Sequence, residues 1–296
     1  MSIWEWRDNG GYFNYRGYKI YYVTEGEGTP LLLLHGFPTS SYDWHKVWPE
    51  LTTHFRVMAF DFIGFGFSHK PKHYPYSLMD QADLAIALCQ TLNITKSHIL
   101  AHDYGDTVAQ ELLARQIEGS LPFKIISTTL LNGGLFPGVH KPRLIQKLLM
   151  TPVGPILARL YQKKNLRKTF NEIFGPKTQP TGEEIDEFWE IMNYNQGKLA
   201  IHRLIRYMAE RVTYQRRWLK ALQEASCPIR LIDGAIDPIS GLHLVKHYQK
   251  VIPNPDCIVL EEIGHYPQVE APDKVLEAFL KFLEGLDSEF SNPKPE

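Results

Sequence analysis

The stretch His98-Ile99-Leu100-Ala101-His102-Asp103-Tyr104-Gly105-Asp106-Thr107-Val108-Ala109-Gln110-Glu111-Leu112-Leu113 decides how the rest of the chain is read. Its first four residues form a short apolar run of β type, and the residues after Asp106 place apolar side chains at helical spacing. Between them lies a single sharp corner at Asp103. A residue forced into such a corner needs small neighbours two positions before and two after, and Ala101 and Gly105 stand there. This is a strand, an apex and a helix, the pattern of a nucleophile elbow, with aspartate where serine usually sits.

The apex residue selects the chemistry. A serine that displaces a leaving group from a saturated carbon ends as an ether, which water does not cleave. A carboxylate ends as an ester, and water can attack that ester's carbonyl and regenerate the aspartate. Asp103 therefore points to displacement at an sp3 carbon followed by hydrolysis of an alkyl-enzyme ester, with epoxides and alkyl halides as the fitting substrates.

Working outward, Leu31-Leu32-Leu33-Leu34 reads as a buried parallel strand that runs into His35-Gly36-Phe37-Pro38. Residues 12–24 read as two antiparallel edge strands turning at Arg16-Gly17. Phe55–Phe60 and Lys124–Leu131 read as further strands, and Thr39, Ser40 and Ser41 as caps for a helix through Trp48. The strand-helix alternation breaks from Phe136 to Tyr214, a helix-like stretch with several prolines and no strand signal. It resumes with strands at Pro228–Ile232 and Ile258–Ile263 and helices at Gly241–Val251 and Pro272–Leu283. The expected architecture is an α/β fold with a mostly parallel sheet and a helical lid inserted after the sixth strand. Residues 1–135 and 215–296 form the core domain and residues 136–214 the lid (cap) domain, placed over the C-terminal edge of the sheet where open α/β folds bind ligands.

A nucleophile at an elbow needs a base and a group that orients it, in the chain order nucleophile, acid, base. The strand through Leu231 and Ile232 ends in Asp233-Gly234-Ala235-Ile236-Asp237-Pro238. The strand ending at Ile263 leads into Gly264-His265-Tyr266-Pro267. Asp237 is taken as the orienting carboxylate, Asp233 as a turn residue, and His265 as the base that takes a proton from the ester-cleaving water. The backbone N–H groups of Tyr104 and Phe37 would hold the oxyanion that forms on the Asp103 carboxyl group. His35 and His102 are read as loop-shaping residues.

The chain has 296 residues, 44% hydrophobic and 22% charged, with formal net charge -1, which argues against nucleic acid as a partner. Its three cysteines, Cys89, Cys227 and Cys257, have no metal-ligand spacing, and such a sparse, odd set fits a reducing compartment. No signal peptide or transmembrane run of roughly 18 apolar residues is present. The expectation is a cytoplasmic, soluble enzyme acting on a small apolar organic substrate and water, with no metal and no cofactor. Asp287–Glu296 reads as a frayed tail.

The motifs His35-Gly36-Phe37-Pro38-Thr39-Ser40-Ser41-Tyr42-Asp43-Trp44, His102-Asp103-Tyr104-Gly105-Asp106 and Gly264-His265-Tyr266-Pro267-Gln268 resemble the α/β-hydrolase family that contains epoxide hydrolases and haloalkane dehalogenases. Within it the chain resembles the mesoderm-specific transcript protein branch, including Phe174-Gly175-Pro176 and Arg216-Arg217-Trp218. The resemblance spans Leu31 to Phe282. Haloalkane dehalogenases hold the departing halide with a Trp after the nucleophile and often an Asn in the His-Gly-x-Pro loop, and this chain has Tyr104 and Phe37 there. It also lacks the Arg after the nucleophile that haloacid-type members use. The resemblance implies epoxide opening, in which a lid tyrosine protonates the alkoxide, with haloalkane hydrolysis by the same covalent route as the alternative and a non-catalytic binding protein of this fold as the third reading. Tyr207, in Leu204-Ile205-Arg206-Tyr207, is the first choice for that donor, on a helix expected over Leu199–Arg211. Tyr161 is the second. The arginines and lysines of the lid read as a solvated face.

Overall fold

A computed structural model describes the backbone of residues 1–291 and side chains through Leu286. Eight strands form one sheet: β1 (Gly11–Tyr15), β2 (Tyr18–Glu25), β3 (Pro30–Leu34), β4 (Arg56–Phe60), β5 (Lys96–His102), β6 (Lys124–Leu131), β7 (Ile229–Gly234) and β8 (Asp256–Leu260). Their spatial order is β1-β2-β4-β3-β5-β6-β7-β8. The β1–β2 and β2–β4 pairs are antiparallel, and all others are parallel. The fold is the expected α/β-hydrolase architecture.

The leucine run shows why the sheet is buried on both faces. Strand residues alternate sides, so Leu32 and Leu34 join one apolar layer while Leu31 and Leu33 join the other. All four are fully buried, and burying each stabilises the fold by about 1.5–3 kcal/mol. Helices Leu78–Thr91, Tyr104–Ile117 and Leu242–Val251 contribute to the first layer, and Ile3–Asp8, Trp48–His54 and Pro272–Ser291 to the second.

Between β6 and β7 the described elements are all helical, from Leu144–Leu149 to Gln215–Gln223. The last of these packs along the Tyr104–Ile117 helix. Phe170, Phe174 and Phe188 from this segment gather around Tyr266, with ring centroids 5.3, 5.3 and 6.2 Å away.

Several local expectations need correction. Of the two strands expected at an edge, only β1 lies there, because β2 is paired on both sides. Ser40 caps a one-turn 3-10 helix over Ser41–Trp44, and a separate α-helix then begins at Trp48. The strand before His265 stops at Leu260 because Glu262 turns into positive φ. The helix expected over Leu199–Arg211 is broken at Ile205-Arg206 into Ile201–Leu204 and Tyr207–Thr213. At the C-terminus the backbone is helical through Ser291, and the rest of the expected frayed tail, residues 292–296, lies outside the described residues.

Candidate active site

Asp103 occupies the apex with φ 45° and ψ -99°, a conformation that a non-glycine residue adopts only when its surroundings impose it. Those surroundings are backbone contacts. Its N–H donates to the Leu131 carbonyl at 3.1 Å, and the Gly105 N–H donates to the His35 carbonyl at 3.0 Å. Gly105 is required because a Cβ there would sit 2.2 Å from the Leu34 carbonyl oxygen. The Phe37 N–H reaches the Asp103 Oδ2 at 3.1 Å. Tyr104 supplies the first N–H of the following helix, and its ring is buried among Phe62, Phe65 and Tyr207.

Asp237 and His265 meet at the neighbouring strand ends. His265 Nδ1 lies 2.7 Å from Asp237 Oδ2. The same carboxylate accepts the Ile239 N–H at 2.8 Å, the Ser240 N–H at 3.1 Å, the Ser240 hydroxyl at 2.7 Å and the Asn132 side-chain amide at 3.1 Å. Burial opposes ionisation of Asp237, but His265 and these donors outweigh it and hold its pKa below the usual carboxylate value. Asp233 does not touch His265. It faces the Asn132 amide at 3.4 Å, and burial raises its pKa well above the usual range.

Burial works against the His265 imidazolium. The Asp237 charge and hydrogen bond, with further help from Asp103 and Glu270, nevertheless carry its pKa up to about 9. The ring is held from several sides. Its backbone N–H donates to the Ile173 carbonyl at 2.8 Å, an approach that requires Gly264, where a Cβ would meet that oxygen at 2.1 Å. Burial first, and the His265 charge second, lower the His102 pKa to about 3. The neutral His102 therefore donates from Nε2 to the His265 carbonyl at 2.7 Å.

One cavity of about 60 Å3 is lined by Asp103, His265, Tyr207, Tyr161 and the Phe37 side chain, among mostly apolar neighbours. That is room for several waters, each needing at least about 10–15 Å3. Tyr207 is buried, with its ring 5.6 Å from Phe37 and 5.0 Å from Tyr104. Burial and the Asp103 charge raise its phenol above the ordinary value, while Arg211 pulls it back. Tyr161 is half-buried beside Trp189 and lines both this cavity and a groove outside it.

Two residues escaped sequence reading. Arg211, expected on a solvated face, is buried and lies against Asp103. Its Nη2 donates to the Asp103 carbonyl at 2.9 Å and lies 3.5 Å from Asp103 Oδ1. Its Nε donates to the Thr107 hydroxyl at 2.8 Å, and its Cζ stands 4.5 Å above the Tyr207 ring. Glu270 takes the Gly264 and Tyr266 N–H groups at 2.9 and 3.0 Å and the Gly175 N–H at 2.7 Å, tying the histidine loop to the helical segment. The signals available were the four-residue spacing of Tyr207 and Arg211, and the acidic Glu270 five residues after His265, at the end of Pro267-Gln268-Val269-Glu270.

Chemically, the arrangement places an ionisable carboxyl group with one oxygen on a backbone donor, an imidazole paired to a second carboxylate, and a phenol beside a guanidinium around one cavity. Among the described residues no group of three or more His, Cys, Asp or Glu side chains could hold a metal ion, and no helix is long and apolar enough to cross a membrane.

A chain with this sheet, elbow and site is an α/β hydrolase. The family model described as alpha/beta hydrolase fold matches residues 29–188, and the protein belongs to that family. It is 41% identical over 296 aligned residues to the mesoderm-specific transcript protein of Mus musculus, covering 95% of this chain and 88% of that protein. A 93-residue stretch is 41% identical to a soluble epoxide hydrolase of Corynebacterium sp. (strain C12), covering 31% of this chain and 32% of that one. The structure resembles haloalkane dehalogenase DbeA from Bradyrhizobium elkani with a TM-score of 0.81 at 22% identity, covering 94% of this chain and 98% of that one, which is a likeness of fold.

Proposed function

We propose that the protein opens epoxides to diols through a covalent ester on Asp103. The observation that carries this reading is an aspartate at a strained elbow, with Oδ2 on the Phe37 N–H, lining the same cavity as His265 and Tyr207. Asp103 Oδ1 attacks the less hindered epoxide carbon, and the C–O bond breaks toward an alkoxide. Tyr207, neutral at pH 7, gives that alkoxide its proton, and the adjacent Arg211 guanidinium stabilises the phenolate left behind. Tyr161 is the second candidate donor.

Once Asp103 is alkylated it carries no charge, so one of the influences that raise the His265 pKa disappears. The neutral imidazole then takes a proton from water, which attacks the ester carbonyl. Negative charge gathers on Oδ2, where the Phe37 N–H already points and the Tyr104 N–H is the expected second donor. As the intermediate collapses, the acyl C–O bond of the ester breaks and the departing alkoxide takes the proton from the His265 imidazolium. The proton released by the regenerated Asp103 carboxyl group returns through solvent to the Tyr207 phenolate. Asp237 keeps the histidine ring oriented throughout. Supporting the epoxide over the halide reading are the Corynebacterium relative and the placement of Tyr207, which alkyl halides do not need. Tyr104 and Phe37, moreover, offer a leaving halide neither an indole nor an amide side chain.

Incubation with styrene oxide and with 1,2-dibromoethane, measuring diol against bromide, tests the assignment: diol without bromide is expected. Bromide without diol would transfer the same covalent route to haloalkanes. Intact-mass spectrometry of His265→Ala should show one substrate mass added, and a mass that never shifts with either substrate would remove the covalent mechanism.

A further inference from the structure

Apolar side chains exposed to solvent are concentrated on one segment. Leu144 is 72% exposed, Val153 49%, Ile156 59% and Leu160 66%. Val153, Ile156 and Leu160 lie at i, i+3 and i+7, one stripe along the helix Gly154–Leu160, which buries only Gly154 and Ala158. Leu144 and Leu148 form a second stripe on Leu144–Leu149, a helix that packs against the first. An isolated exposed leucine is ordinary, but adjacent apolar stripes on two contacting helices mark a surface built to be covered.

The charges around these stripes say what covers them. From Lys141 to Lys168 the chain carries eight lysines and arginines and no aspartate or glutamate, in a protein whose formal net charge is -1. Lys141, Lys147, Arg159, Lys164 and Lys168 are exposed. Among the described residues none of these five forms an ion pair within 4 Å, whereas Lys163 is paired with Asp186 at 2.8 Å. Apolar residues flanked by unneutralised cations match a lipid interface carrying anionic headgroups: the leucines and isoleucines enter the acyl boundary and the cations stay among the phosphates. A second copy of the chain would set this positive segment against itself.

The groove at this face leads to the site. It is lined by Lys141, Leu144, Leu148 and Lys168, and shares Arg143, Ile145, Tyr161, Thr169 and Ile239 with the cavity that holds Asp103. We infer that the helices Leu144–Leu149 and Gly154–Leu160 dock on an anionic bilayer, with the groove opening toward the lipid. If the proposed function holds, the substrate is then a lipophilic epoxide that enters from the membrane rather than from water.

Vesicle co-sedimentation of the full chain tests the docking without any substrate, so a failure of the hydrolase reading leaves this result independent. Vesicles containing about 30% phosphatidylserine at roughly 0.1 M salt should bind at least about tenfold more protein than pure phosphatidylcholine vesicles, and the excess should fall near 1 M salt. Ile156→Asp with Leu160→Asp, and separately Lys164→Glu with Lys168→Glu, should each cut binding at least about tenfold while leaving circular dichroism and the melting midpoint near wild type. Equal binding to both vesicle types would overturn the inference. So would wild-type binding by the aspartate variant, since that would be charge attraction without insertion. A dimer in solution that the aspartate substitutions dissolve, with no vesicle binding, would assign the face to a second copy instead.

Discussion

Asp237 commits its two oxygens to two backbone N–H groups, a hydroxyl, an amide and the His265 ring, all within 3.1 Å. Tyr207 is placed quite differently: rings at 5.0 and 5.6 Å and a guanidinium 4.5 Å above it surround the phenol. The first set sits on the loops that follow β6, β7 and β8, where the Ile239 and Ser240 N–H groups close around the carboxylate. The second sits on a seven-residue helix after a break at Ile205-Arg206, whose neighbouring side chains tie it to the core: Arg211 donates to the Thr107 hydroxyl and Glu210 accepts the Leu78 N–H. The contrast implies a division of labour. In the proposed mechanism, the groups for the covalent steps are fixed by hydrogen bonds on the sheet side, and the group that protonates the alkoxide is surrounded by rings and a cation on the helical side.

The largest effect expected from this division falls on the sheet side. His265→Ala should lower steady-state diol formation by roughly 10³-fold, because the base acts only on ester hydrolysis, while ester formation in a single turnover stays within about threefold of wild type. In the wild-type protein the hydrolysis rate should rise with pH, since only neutral imidazole accepts the proton. The midpoint should lie below the value of about 9 seen beside an ionised Asp103, because the ester has lost that charge. A hydrolysis rate that does not change with pH would remove His265 from the step.

On the helical side the expected loss is smaller and falls on the other half-reaction. Tyr207→Phe should slow ester formation from styrene oxide by roughly 10²-fold, within the range for a lost general acid, and leave ester hydrolysis unchanged. A tyrosine that only packs between helix and core would slow both steps or neither, and a matching loss in Tyr161→Phe would shift the donor role to that residue. Single-turnover kinetics followed by mass spectrometry separates the two steps.

The same contrast explains what could be read in the sequence. The elbow, Asp237 and His265 are encoded locally: small residues around a corner, and a turn at each strand end, are properties of four or five consecutive residues. The four leucines of β3 likewise declare a strand buried on both faces. Arg211 was not legible, because its burial depends on Thr107 and Asp103, more than 100 positions away in the chain. Glu270 depends in the same way on Gly175. The unbroken helix expected over Leu199–Arg211 was favoured by the spacing of Ala200, Leu204 and Tyr207. What interrupts it is the way the segment settles over the elbow: Leu204 approaches Gly64, whose Cβ position lies 2.8 Å from Leu204 Cδ2, while Arg211 is drawn down to Thr107.

Arg211 offers the finest test of the comparison, because it is a helical-side residue bonded to Asp103, the proposed nucleophile at the end of β5. Epoxide opening moves one negative charge: it begins on Asp103, passes to the alkoxide, and ends on Tyr207 when the proton is transferred. Arg211 lies within 3.5 Å of the starting carboxylate and 4.5 Å above the final ring, so a fixed cation accompanies the charge at both ends. Two unit charges at this separation interact by about 4 kcal/mol at an effective dielectric of ~20. Most of that cancels between ground and product states because both are stabilised, and only the difference reaches the rate. Arg211→Met should therefore slow ester formation by only about tenfold, less than Tyr207→Phe, and Arg211→Lys should recover part of the loss because it keeps the charge without the fork that binds Thr107 and the Asp103 carbonyl. In a Tyr207→Phe background the Arg211→Met effect should shrink, since the charge no longer arrives at position 207. Full additivity of the two substitutions would show that Arg211 serves Asp103 alone, and would dissolve the link between the helices and the sheet.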